Sequence, residues 1–265
     1  MSKQAVRHRK QKVELGLEKP SPKEKFLAHA LEIDSQIQAP VAKFVPKTEN
    51  QKKAVGLLRA GVRVLFLQGS AGTGKSMLAA WWASLLMKEK KVDKIYLIRP
   101  AVVTGKSAGL LPGTEEEKLM PYFVQTIIHL ETFMGKGHVA HCLDHKEIEL
   151  KSGEYLRGRS FEDSVVLIEE AQNFTKEDLE MVLTRLGKNC TFILTGDTKQ
   201  NDLKGASGMD YTIGLIDRMV EAAPNYLSQE DINNLQGLVG GVEFTPDDCV
   251  RDGLTKAFVK MYYNN

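Results

Sequence analysis

The sequence predicts an α/β protein: a mostly parallel sheet with helices on both faces. Two observations carry that expectation. Runs such as Val64–Leu67 and the stretches SVVLIEE and CTFILTGD are too continuously apolar for strands with one wet face. Between them lie segments of helical periodicity, so strand and helix alternate along the chain.

Each element has its own local warrant. Ser21, Pro22 and Glu24 spell an N-cap, an N1 proline and a capping-box acid, and predict a helix through Phe26, Leu27, Ala30 and Leu31. Pro40 and Pro46 mark a loop, and Thr48 opens a helix over TENQKKAVGLLRA. Val64–Leu67 is a buried strand, followed by a glycine loop and a helix to about Met87. KIYLIRP is the next strand. A glycine-rich loop then leads into EEEKLMPYFVQTIIHLETFM, where Pro121 is expected to kink the helix or split it in two. SVVLIEE is a strand, and Thr175 caps a helix whose Leu179, Val182, Leu183 and Leu186 recur at i, i+3, i+4 and i+7. CTFILTGD is a further strand and GVEFT a last one. Thr245, Pro246, Asp247 and Asp248 are expected to start the C-terminal helix. With no internal repeat and no long linker, the expected organisation is a basic flexible arm over residues 1–20 and a single domain over 21–265.

Composition narrows the class. The 265 residues are 42% hydrophobic and 26% charged, as in a globular chain. No apolar run approaches the roughly 20 residues of a membrane span. The basic N-terminus is not followed by the apolar stretch of a secretory signal. Cys142, Cys190 and Cys249 are scattered without a C-x-x-C pair, so reduced thiols and a cytoplasmic location are expected. The net charge of +2 hides an asymmetry, for residues 1–25 carry +5 and the remainder −3. Such an arm can hold a polyanion through phosphate contacts, or it can be a solvated tail.

The chemistry begins at the glycine loop. Gly69, Gly74, Lys75 and Ser76 fit G-x-x-x-x-G-K-[ST] between a strand and a helix. Over Gly69, Ser70, Ala71, Gly72, Thr73 and Gly74, successive backbone N–H groups can turn inward on a phosphate, and the helix behind adds its positive end. Lys75 would bridge the β- and γ-phosphates, and the Ser76 hydroxyl would ligate Mg²⁺. The implied ligand is a nucleoside triphosphate. A second buried strand, VVLIEEAQ, ends in two acids: Glu169 is placed to hold the metal and Glu170 to orient or activate the attacking water. A third, LTGDTKQND, ends in Asp197 and Gln200, and a glutamine there can bond the γ-phosphate or its water.

Taken together, GSAGTGKS, IRPAVVTGKSAGLLPGTEEEKLMPY, YLRGRSFEDSVVLIEEAQN, LTRLG and TGDTKQNDL resemble the PhoH family of P-loop ATPases, in order, from about Val45 to about Tyr262. That family has a RecA/helicase-like core and a phosphate-starvation name. The resemblance implies ATP and Mg²⁺ as ligands, ATP hydrolysis, action on RNA or single-stranded nucleic acid, and a ring-shaped homo-oligomer such as a hexamer. It places the phosphate loop at Gly69 to Ser76, the acids at Glu169 and Glu170, and the γ-phosphate glutamine at Gln200. Gln51 matches the glutamine that reads adenine in helicase-like ATPases, although Thr48-x-x-Gln51 is also a capping box. One departure matters: the family usually has Asp-Glu where this chain has Glu169-Glu170, which bears on hydrolysis more than on binding.

A guanidinium can stabilise a γ-phosphate in transfer, worth about 10³–10⁵ in rate when supplied as a finger. Arg251 is the candidate the resemblance favours, with Arg157 and Arg159 beside it; each could equally be a surface ion pair. Full helicases bring such arginines from a second motor domain, so here a neighbouring subunit is expected to supply one. Arg99, Lys106 and the loop AVVTGKSAGLLPG are candidate nucleic-acid contacts. His138, His141, Cys142 and His145 share one helical face at spacing that could hold zinc, but the same helix must bury Val139 and Leu143. Trp81 and Trp82 read as packing. The leading expectation is an ATPase coupled to RNA or single-stranded nucleic acid. The alternatives are a nucleotide-gated binding ring with little turnover and, more weakly, a small-molecule phosphotransferase.

Overall fold

The apolar runs pair as one sheet in which every described strand pair is parallel. A computed structural model describes residues 19, 25, 32–100, 115–153, 158, 160–203 and 205–263. The strands are β1 (Val64–Gly69), β2 (Lys94–Arg99), β3 (Ile148–Ser152), β4 (Ser164–Ile168), β5 (Cys190–Gly196) and β6 (Val239–Phe244). Their order across the sheet is β3-β2-β4-β5-β1-β6. Parallel pairing sends all six carboxyl ends to one edge, and β4, β5 and β1 are consecutive neighbours there. In open parallel sheets that edge is where ligands bind.

Alternation within the strands explains their unbroken apolar character. Leu65 and Leu67 of β1 face one core together with Val165 and Leu167 of β4 and Ile193 of β5. Val64 and Phe66 face the other with Val166, Ile168, Phe192 and Leu194. Successive residues point to opposite faces, and both faces are covered, so neither parity can be polar. The first face is covered by α1 (Glu49–Arg59), α2 (Lys75–Lys88), α3 (Glu115–Met134) and α4 (Lys136–Asp144). The second is covered by α5 (Lys176–Leu183) and the start of α6 (Gly208–Ala222). Further along come α7 (Gln229–Leu238) and α8 (Gly253–Tyr263). Burying each large apolar side chain stabilises the fold by about 1.5–3 kcal/mol.

Several expectations are corrected. Pro121 does not split its segment, because Glu115–Met134 is one helix with the proline inside it. The caps at Thr245 are real, since its hydroxyl accepts from the Asp247 N–H and Asp248 closes a capping box. They start only a single turn, Pro246–Asp248, because the Val250 N–H then bonds the Gly72 carbonyl at 3.0 Å and pulls the chain to the phosphate loop. The C-terminal helix restarts at Gly253, with the Asp252 carboxylate accepting from the Thr255 N–H at 3.0 Å. The α5 periodicity ends at Leu183, leaving Leu186 beyond the helix but packed on its core. The short, half-polar β3 and the helices α6 and α7 had no distinct signal. The predicted helix through Phe26 to Leu31 and nearly all of the arm lie outside the described residues.

Candidate nucleotide site

The phosphate loop is shaped by contact with β6. Gly69 closes β1 at φ 118°, and a Cβ there would fall 1.9 Å from the Phe244 carbonyl oxygen, so only glycine fits. Ser70 and Thr73 are fully buried within the loop, Ala71 is exposed, and Gly72 packs beside Cys249 and Arg251. Gly74 caps α2 in the left-handed region, and Lys75 and Ser76 are its first two residues. Lys75 Nζ donates to the carbonyls of Gly69 at 2.6 Å and Ser70 at 2.8 Å, folding the ammonium back over its own loop. Burial lowers its pKa to about 8, against the opposing pull of Asp197 and Glu170. An ammonium that burial has stripped of water gains most from an anion placed beside it.

Gln51 braces this loop from α1. Its Nε2 donates to the Thr73 carbonyl at 2.9 Å, and its Oε1 accepts from the Lys47 N–H at 2.7 Å. The capping box expected with Thr48 is therefore half formed: the Thr48 hydroxyl accepts from the Gln51 N–H, but the Gln51 side chain turns to Lys47.

The two acids lie across from the loop, just past β4. Glu169 accepts a hydrogen bond from the Thr126 hydroxyl, and it lines the cleft together with Ser76. Burial raises its pKa, while the Thr126 hydrogen bond and the Arg99 charge work against that rise. The Ser76 hydroxyl and the Glu169 carboxylate thus face one cleft, two hard oxygen donors of the kind that suits a magnesium ion. Glu170 takes the left-handed conformation at φ 51° and is exposed. Its Oε1 accepts from Arg99 Nη2 at 3.1 Å and its Oε2 from Gln172 Nε2 at 2.8 Å. Arg99, expected at a nucleic-acid contact, is thus paired with an acid of the cleft, and its other Nη donates to the Tyr122 carbonyl.

At the end of β5, the buried Asp197 accepts from Gln200 Nε2 at 2.9 Å and from the Lys199 N–H at 3.2 Å. Gln200 therefore lies at the cleft with its amide turned to Asp197. Arg251 comes from the same chain: it lines the cleft, and its side chain runs past Gly72. No neighbouring subunit is needed to bring that guanidinium to the loop. The cleft measures about 550 Å³ and joins the phosphate loop, Glu169, Glu170, Gln200 and Arg251. Gln51 stands behind its wall. Arg157, Arg159 and Lys106 lie outside the described residues.

With this geometry in place, the comparisons with known proteins fall into order. The profile of the family described as PhoH-like protein matches residues 43–263. The chain belongs to the PhoH-like family. It is 36% identical over 189 residues to a PhoH-like protein of Mycobacterium leprae, covering 71% of this chain and 54% of that one. It is 34% identical over 202 residues to the protein PhoH of Escherichia coli K12, covering 76% and 53%. The chain thus spans about half the length of these curated relatives. Among solved structures, the UvsW helicase of bacteriophage T4 overlays with a TM-score of 0.42 at 12% identity, covering 90% of this chain and 77% of that chain. The fold assignment stands on the parallel sheet and its P-loop, which make this PhoH-like chain a P-loop NTPase fold. Among the described residues no helix is long and apolar enough to cross a membrane.

The PhoH-like cleft also holds residues that sequence reasoning missed. Tyr122, Gln125 and His129 of α3 line it opposite the loop, and Thr126 reaches Glu169 from the same helix. Their signal was a polar stripe at i, i+3, i+4 and i+7 on an otherwise apolar helix. Gln172 and the Arg99–Glu170 pair gave no such signal, because they join segments that only the sheet brings together. Elsewhere, His138 and Cys142 are buried in α4 and the rings of His141 and His145 stack at 3.9 Å. Among the described residues no group of three metal-ligating side chains is placed to hold an ion. Trp81 is buried and stacks on Phe44 at 5.3 Å.

Proposed function

We propose that this PhoH-like chain is an ATPase that couples ATP hydrolysis to binding or remodelling RNA or single-stranded nucleic acid. The observation that carries the reading is the convergence of Lys75, Ser76, Glu169, Glu170 and Gln200 on one cleft at the carboxyl edge of the sheet. In this reading the loop N–H groups from Gly69 to Ser76 cradle the phosphates. Lys75 exchanges the carbonyls of Gly69 and Ser70 for phosphate oxygens. Ser76 and Glu169 would hold Mg²⁺, which when bound neutralises charge on the β- and γ-phosphoryl oxygens. Glu170 orients the attacking water and accepts its proton. Gln200 leaves Asp197 for the γ-phosphate, and Arg251 stabilises the transferring group in cis. To read the adenine edge, Gln51 would turn its amide out from Thr73 and Lys47 toward the cleft.

A homo-oligomer is part of the proposal. Its support is α8, an amphipathic helix with no buried residue, on which Leu254, Phe258 and Tyr262 are 70%, 49% and 76% exposed. A second reading, a nucleotide-gated binding ring with little turnover, is favoured by one observation: both carboxylate oxygens of Glu170 are already engaged.

Steady-state hydrolysis with and without RNA separates the two. The ATPase reading expects turnover that changes with RNA and collapses in Lys75→Ala and Glu170→Gln. Nucleotide binding with no turnover under either condition would select the gated ring. Turnover untouched by both substitutions would remove the site assignment itself.

A further inference from the structure

One fully buried side chain behind the cleft wall has no part in the chemistry above. Gln172 lies on the single turn Ala171–Asn173 that follows the two acids, and it is 0% exposed. Both ends of its amide are committed. Nε2 donates to Glu170 Oε2 at 2.8 Å and to the Gln200 carbonyl at 3.4 Å, while Oε1 accepts from the Asp197 N–H at 3.1 Å. One side chain therefore ties the loop after β4 to the loop after β5, neighbours in the sheet that are far apart in the chain. Glycine at 196 makes the approach possible, because a Cβ there would stand 2.7 Å from Gln172 Oε1.

The physical consequence concerns aim. A glutamate in an exposed loop samples several rotamers, whereas a general base works only when its oxygen points at the water. Arg99 holds one oxygen of Glu170 and Gln172 the other. Only the Gln172 bond is relayed to the segment that carries Gln200. A carboxamide suits this post: it donates on one side and accepts on the other, and its burial makes any lost partner costly.

We propose that Gln172 is a positioning residue for hydrolysis, holding the Glu170 carboxylate in register with the Asp197–Gln200 segment so that base and γ-phosphate loop are set together. This rests on the ATPase reading and adds a residue to it.

The test is a double-mutant cycle on the full chain, read by single-turnover hydrolysis and by nucleotide affinity. Gln172→Ala should slow hydrolysis by about 10- to 100-fold, the order expected when a catalytic group is misplaced by about an ångström. Nucleotide affinity should stay within about twofold. Gln172→Asn keeps the amide but is one methylene short, and should not rescue. Because Gln172 acts through Glu170, adding Gln172→Ala to Glu170→Gln should cost no further rate. Losses that multiply, or a fall in affinity equal to the fall in rate, would overturn the proposal. Should Gln172→Ala fail to fold, Gln172→Met keeps the volume and serves the same cycle. A readout apart from turnover is amide exchange at Asp197, expected at least about tenfold faster in either variant; unchanged exchange would also overturn the proposal. A wild-type chain that binds nucleotide without hydrolysing it would remove the ATPase reading and this inference together, whereas multiplicative losses in a hydrolysing enzyme would remove the inference alone.

Discussion

The helix that leaves the phosphate loop, α2, and the helix that follows the segment bonded to that loop, α8, are built in opposite ways. α2 grows directly out of it and buries Leu78, Ala79, Ala80, Trp81, Ala83, Ser84 and Met87. α8 follows the Val250–Gly72 bond and has no fully buried residue. α2 is fixed by its length in the core. α8 is fixed at its ends: Asp252 caps its start, and Lys199 holds its finish by bonding the Tyr263 carbonyl at 2.8 Å and lying 3.9 Å from that ring. Lys199 belongs to the same turn as Gln200. The difference teaches that the phosphate loop has a core-packed floor on one side and an end-anchored, exposed helix beyond it, and that this helix is tied to the turn that carries Gln200.

The sharpest way to break that contrast is one chemical change made twice. Leu78→Ala should destabilise the fold by about 2–5 kcal/mol, because Leu78 is fully buried and leaves a cavity. Leu254→Ala, at a residue 70% exposed, should fall within about 0.5 kcal/mol. Both are read from urea midpoints at low protein concentration. An equal cost at the two positions would mean that α8 is covered in solution. If that cost grew with protein concentration, the cover would be a second copy of the chain.

A smaller effect is expected at the far end of α8. Lys199→Ala removes an exposed cation–π contact and one hydrogen bond, together about 0.5–1.5 kcal/mol. The loss should be local, seen as faster amide exchange over the last turn of α8 with α2 unaffected. Equal acceleration in both helices would mean that they unfold as one unit and that the contrast is false.

How much of this could be read from the sequence follows the same division. β1, β4, β5 and the phosphate loop were legible because their signals are short-range: unbroken apolar runs, and glycines at fixed spacing before a lysine. The acids Glu169 and Glu170 were legible as the polar ends of such a run. What holds them was not. Thr126 reaches Glu169 across 43 residues and Arg99 reaches Glu170 across 71, and only the packing of α3 on the sheet and the pairing of β2 with β4 make them neighbours. The misplaced start of α8 has the same origin. The caps at Thr245 are locally complete, but the tertiary bond from Val250 to Gly72 ends the turn they begin.

The smallest effect lies at the first residue of α2. Burial holds the Lys75 ammonium at a pKa of about 8 rather than its usual 10.5. A triphosphate beside it would favour the charged form and raise that value. At pH 8 the free protein would therefore be only partly protonated at Lys75, and binding ATP would take up a fraction of a proton per site. At pH 6.5 the ammonium is charged before and after binding, so uptake at Lys75 should vanish. Calorimetry with the magnesium complex of ATP, in two buffers of different ionisation enthalpy, measures this directly: the binding heats should differ at pH 8 and converge at pH 6.5. Heats that agree at both values would mean that Lys75 is as well solvated in the free protein as an ordinary lysine, and that α2 presents its first turn to water much as α8 does.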